Sequence, residues 1–142
     1  MIRILLVEDQ PTLRQLVSEV LELSGYQVTV ASDGEKALEL LKSETFMPDL
    51  ILSDLLMEPI GGAQLLEHIR NEWMMRDIPF VMMTGQDQIA ELHPDLRHEI
   101  DGYITKPFGI KDILTAVQQR LAKSQRKNRD HQEGNNASQR FA

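Results

Sequence analysis

The sequence predicts a doubly wound α/β domain, five parallel strands alternating with five helices, and three observations lead there. Short apolar runs rich in Val, Ile and Leu recur along residues 1–105, and each is followed by a segment with helical apolar spacing. The runs are almost continuously apolar, as strands buried on both faces are. Pro, Gly and Asp mark the junctions between them. Such alternation, without internal repeat, closes into a parallel sheet covered on both sides, with right-handed crossovers. For five strands the expected order is 2-1-3-4-5, and ligands bind beyond the carboxyl ends where the order reverses, here between strands 1 and 3.

Each element has its local reason. Ile2–Val7 reads as a buried strand. Pro11 opens a helix carrying Leu13, Leu16, Val17, Val20 and Leu21, and Gly25 stops it in the position of a C-cap. Gln27–Ala31 is the second strand, and Asp33 caps a helix with Ala37, Leu38, Leu40 and Leu41. Pro48 precedes the third strand, Asp49–Ser53. Gly61 and Gly62 lead into a helix with Leu65, Leu66, Ile69 and Trp73 on one face. Ile78–Thr84 and Gly102–Thr105 are strands four and five, and Ile110, Ile113, Leu114, Val117 and Leu121 mark the last helix.

Between the last two strands lies a segment, 88–99, that should be helical, yet Pro94 falls within it. Proline inside a helix removes a hydrogen bond and clashes with the preceding turn, at a cost of ~3 kcal/mol or more. At the first helical position it is tolerated. The spacing therefore predicts a loop or separate turn over 86–93 and a short helix from about 94 to 99.

With 142 residues the chain is one domain, read here as 1–122, followed by a polar tail at 123–142 expected to be disordered. Cysteine is absent, which excludes disulfides and thiolate metal sites. No apolar run approaches the ~20 residues of a membrane span, and the N-terminus lacks signal-peptide architecture, so a cytoplasmic protein without membrane contact is expected. The net charge of −7 is uneven: residues 123–142 carry five basic and two acidic side chains, leaving −10 on residues 1–122. So acidic a body argues against direct nucleic-acid binding. Four histidines (His68, His93, His98, His131) form no ligand-like group, and the Met74–Met75 and Met82–Met83 pairs read as packing.

Asp54 is the first residue past strand 3, so it emerges at the carboxyl edge of that strand. Strand 1 ends beside it in Glu8-Asp9, strand 4 in Thr84, and strand 5 in Lys106-Pro107. Two carboxylates ~4 Å apart at an effective dielectric of ~20 repel by about 4 kcal/mol. A hard divalent cation relieves such crowding, and Mg²⁺ characteristically takes one or two carboxylates, waters and a phosphate oxygen. A carboxylate so placed can act as a nucleophile toward phosphorus. An ammonium and a hydroxyl then suit the charge that develops.

Four motifs, LLVEDQPTLR at 5–14, LILSDLLMEPIGG at 50–62, VMMTG at 81–85 and YITKPF at 103–108, make the sequence resemble the receiver domain of bacterial response regulators, over residues 2–122. The resemblance implies a flavodoxin-like fold and a stand-alone phosphoacceptor switch, served by a histidine kinase or phosphotransfer protein and acting on an output protein the sequence does not name. It implies Asp54 as phosphoacceptor, and Glu8, Asp9, Asp54 and the Leu56 carbonyl as ligands of Mg²⁺, with Mn²⁺ as an alternative. By the same resemblance Lys106 and Thr84 bind the phosphoryl group, Lys106 assists catalysis, Thr84 and Tyr103 form the switch, and the Lys106–Pro107 bond is cis. No activity beyond the domain's own phosphorylation and dephosphorylation is implied.

Two departures stand out: Glu58 separates Met57 from Pro59, and Glu99-Ile100 replaces the usual small pair before strand 5. The second falls on the face through which the family signals and bears on partner recognition; Pro94 gives that face an unusual shape, so symmetric pairing through it should be weak. An aspartyl-phosphate phosphatase would carry Asp-x-Asp after strand 1, where this chain has Glu8-Asp9-Gln10. A flavin module would need an amide cradle where EDQPT stands. A degenerate docking module would have lost the acidic pair, the acceptor, Thr84 or Lys106.

Overall fold

The structure, a computed structural model, describes residues 1–43, 45–92 and 94–123, the Gln86 side chain excepted. Strands β1 (Arg3–Val7), β2 (Gln27–Ala31), β3 (Leu50–Asp54), β4 (Phe80–Thr84) and β5 (Gly102–Thr105) form one parallel sheet, ordered β2-β1-β3-β4-β5 as expected. The helices are α1 (Pro11–Leu23), α2 (Gly34–Lys42), α3 (Gly62–Asn71), α4 (Gln86–Ala90), α5 (Pro94–His98) and α6, described over 110–123. The short helix begins at Pro94 as expected, where the missing N–H is one of the helix's free donors, whereas Gln86–Ala90, expected as loop or separate turn, forms a five-residue helix of its own and brings the helices to six.

The strand pleat sorts side chains into two cores. Leu5, Val7, Ile51, Phe80 and Met82 pack with α2 and α3 on one face, with Leu92, Leu96 and Tyr103 against them. Ile4, Leu6, Leu52, Val81, Met83 and Ile104 pack with α1 and α6 on the other. Asp33 caps α2 by accepting from the Lys36 N–H at 3.0 Å, and Gly25, at φ +94°, takes the left-handed turn after α1.

Several expectations need correction. β3 runs one residue further than expected, so Asp54 closes the strand instead of following it. Trp73 is not on the α3 face: Glu72 caps the helix in extended backbone (ψ 120°), which turns the chain away and leaves Trp73 exposed, its ring 5.3 Å from the Arg76 guanidinium. Leu16 is half exposed because it lies ~100° around α1 from the buried Val17. Ile110, in the first turn of α6, and Met74 are exposed too. The tail beyond Lys123, and with it His131 and the expectation of disorder, lies outside the described residues, as does His93.

At the amino ends of β4 and β5 a set of charges ties the sheet to two helices. Arg70 of α3, its side chain 12% exposed, donates to the carbonyls of Arg76, Ile78 and Glu99 and to Asp101 Oδ2, the last at 2.9 Å. Asp101 also accepts from the Phe80 N–H at 2.7 Å and pairs with Arg120 of α6 at 3.0 Å. Nothing in the local sequence announced this arrangement.

Candidate functional site

At the opposite edge, beyond the carboxyl ends of the strands, the parallel register aligns the expected residues. Val7 pairs with Ser53, so Glu8 and Asp9 leave β1 beside Asp54; Asp54 pairs with Met83, so Thr84 ends β4 next door; Thr84 pairs with Thr105, which brings up Lys106. Carboxylate oxygens of Glu8, Asp9 and Asp54 lie within 4.8 Å of one another, and among the described residues this is the cluster that could hold a metal ion. Lys106 Nζ sits 3.2 Å from Asp54 Oδ2. Glu8, Asp54 and Thr84 are buried, whereas Asp9 is exposed and Lys106 partly so. The peptide bonds Lys106–Pro107 and Glu58–Pro59 are both cis, the first as the resemblance implied.

The donor set fits a hard cation. Glu8 Oε1 accepts a 3.3 Å bond from the Gln10 N–H, but Oε2 is buried with no partner. An unpartnered buried carboxylate oxygen is costly unless a proton or a cation meets it. Burial, and then the neighbouring Asp54 carboxylate, push Glu8 up from 4.5 to about 7, against the opposing pull of the Gln10 N–H and Lys106. Two donors brace the site from outside: Arg14 Nη1 bonds the Glu8 carbonyl at 3.0 Å, and the Lys106 N–H bonds the Thr84 carbonyl at 2.8 Å. Gly62 lets α3 start against the end of β3, because a Cβ there would collide with the Asp54 carbonyl oxygen and lie 2.8 Å from Met82 Sδ.

A pH dependence follows from Glu8. The folded domain retains a proton between pH 4.5 and about 7 that the unfolded chain has released, so folding stability falls as pH rises through this window. In EDTA the urea midpoint should decline from pH 5 to 7.5, with ~2–3 kcal/mol at stake. Glu8→Gln should flatten the slope. A slope equal in both proteins would reject the buried, protonatable Glu8.

The remaining site residues are near but differently placed. Leu56, two residues beyond Asp54, exposes 60% of its surface. Tyr103 packs against the α2–α3 core with its hydroxyl buried and unpartnered, and burial raises its pKa. Two contributors were missed by sequence reasoning. Arg14 had a signal, a cation in the first turn of the helix that follows the acidic pair. Gln88 had a fainter one: it stands at the third position of α4, where Gln reaches back to the helix start. Its Oε1 accepts from the Thr84 hydroxyl at 2.6 Å and from the Gly85 N–H at 3.2 Å.

An acidic cluster, a lysine and a buried threonine thus meet at the carboxyl edge of a doubly wound parallel sheet, an arrangement whose chemistry suits a cation and an oxyanion. Residues 4–118 match the model of the response regulator receiver domain, and the chain belongs to that family. It is 38% identical over 115 residues to the phosphate regulon transcriptional regulatory protein PhoB of Escherichia coli, an alignment covering 81% of this chain and 49% of that protein. Chemotaxis protein CheY4 of Vibrio cholerae superposes with a TM-score of 0.70 at 30% identity, covering 84% of this chain and 98% of the other. A putative response regulator from Chloroflexus aurantiacus reaches a TM-score of 0.75 at 29% identity, covering 84% and 97%. The chain spans about half the length of the curated relatives it matches.

Proposed function

We propose that Asp54 is the phosphoacceptor of a two-component or phosphorelay switch, taking its phosphoryl group from a histidine kinase or phosphotransfer protein. The observation that carries this is the ion pair of Lys106 with Asp54, set within a cluster of three carboxylates at the switch point. An Asp54 carboxylate oxygen attacks phosphorus; the bond from phosphorus to the donor's imidazole nitrogen breaks, and a new phosphorus–oxygen bond forms at Asp54. Lys106 moves its attraction from Asp54 to the phosphoryl oxygens, and the Thr84 hydroxyl donates to one of them. Glu8, Asp9, Asp54 and the Leu56 carbonyl would hold Mg²⁺ (or Mn²⁺), which supplies neutralisation of the phosphoryl charge. Thr84 and Tyr103 then couple the site to α4, α5, β5 and α6, the face that meets an output protein. On this reading the domain turns over only its own aspartyl phosphate, in the cytoplasm; no described helix is long and apolar enough to cross a membrane.

Intact-mass measurement after incubation with acetyl phosphate tests the proposal. One phosphoryl adduct should form with Mg²⁺ and none in EDTA; an adduct indifferent to the cation would overturn it. The lifetime of that adduct should depend on Leu56, which is exposed beside the acceptor and cannot hydrogen-bond an attacking water. Leu56→Asn is expected to lose phosphate severalfold faster than wild type, as followed by the decay of the adduct. Equal or slower decay contradicts this role.

A further inference from the structure

We infer that Gln88 is a positioning residue that holds the Thr84 hydroxyl in reserve, so that phosphoryl uptake at Asp54 requires this contact to open. The inference rests on the phosphoacceptor reading above and names a residue that reading does not use. Thr84 is completely buried at the end of β4, and its hydroxyl has one proton to donate. Two acceptors lie within its reach, Gln88 Oε1 at 2.6 Å and the Gly85 carbonyl oxygen at 3.3 Å, and the first is much the better placed. The Gly85 N–H also points at Oε1, at 3.2 Å. A backbone N–H can only donate, so it fixes which end of the amide faces Thr84, and the hydroxyl is thereby the donor.

The hydroxyl therefore cannot serve Gln88 and a phosphoryl oxygen at once. When Thr84 turns to the phosphoryl group, one hydrogen bond is exchanged for a charge-assisted one, roughly twice as strong. Gln88 keeps the Gly85 N–H and loses Thr84. Because the Gln88 N–H bonds the Gly85 carbonyl at 3.1 Å, the side chain that is released belongs to the first turn of α4 itself. Gln88 also lines, with Leu55, Leu56, Met57 and Leu92, the groove between the β3–α3 loop and α4. Freeing it thus alters the start of the signalling segment directly.

The test is the initial rate of Asp54 labelling by acetyl phosphate with saturating Mg²⁺, read by intact mass. Gln88→Met keeps length and bulk but removes the acceptor; labelling should accelerate by roughly threefold to tenfold, the range one net hydrogen bond commands. Gln88→Glu keeps an acceptor at the same reach and should remain at or below the wild-type rate. In a Thr84→Ala background, Gln88→Met should change nothing, since the group it releases is gone. An unchanged or slower Gln88→Met, or an acceleration that survives in Thr84→Ala, overturns the inference while leaving the phosphoacceptor reading standing. Failure of the wild-type protein to label at Asp54 overturns that reading, and this inference with it.

Discussion

Replacing Asp54 with Asn should reduce phosphoryl uptake to background while leaving the domain folded. The amide matches the carboxylate in shape, so no cavity opens at the end of β3. What is lost is the nucleophilic oxygen and the charge opposite Lys106 Nζ at 3.2 Å. The stability cost is small for an electrostatic reason: Glu8 and Asp9 shed a like-charged neighbour, and Asp54 is one cause of the raised Glu8 pKa. The pair should therefore separate cleanly, with no labelling in an intact-mass assay and an urea midpoint at or above that of wild type. Undiminished labelling in the variant would move the acceptor elsewhere.

The second large effect lies at the other end of the sheet. Arg70→Met should destabilise the domain by ~1.5–3 kcal/mol, the range for hydrogen bonds made by a charged group, here a partly buried one. That is a large share of the ~5–15 kcal/mol that holds a domain of this kind together. The guanidinium serves three carbonyl oxygens and Asp101. Asp101 keeps Arg120 and the Phe80 N–H, so the loss comes mainly from the stranded carbonyls. Glu99, whose side chain is 54% exposed, offers the control: Glu99→Ala removes only a solvated partner and should leave the urea midpoint nearly unchanged. An Arg70→Met midpoint within experimental error of wild type would show that this arrangement stabilises nothing.

These two ends differ in how far the sequence disclosed them. The site was legible because a parallel sheet delivers every strand's final residue to one edge, so Glu8, Asp9, Asp54, Thr84 and Lys106 could be placed from apolar runs alone. The break at Pro94 was legible because proline's missing N–H and fixed geometry act locally. Trp73 was misplaced because its direction depends on the extended backbone of Glu72, which periodicity does not encode. Arg70 and Asp101 are 31 residues apart, and their pairing exists only once α3 and β5 are packed. The inward aim of Gln88 likewise needed the observed start of α4, and the burial of Glu8 needed the sheet above it.

The divided segment after β4 changes the physical kind of signal the domain can send. A long helix that tilts keeps all its internal hydrogen bonds, and the message is an angle. α4 and α5 have five residues each, far below the ~12–15 at which a helix begins to sustain itself, and α5 buries none of its own. Their order is borrowed from Leu92 and Leu96 where these touch the core, and from the cap at Gly85. The state of so short a segment is measured by how many of its backbone hydrogen bonds are closed. Its readout is protection of amides against hydrogen exchange, and a ligand that ordered it would pay the entropy of completing a fold.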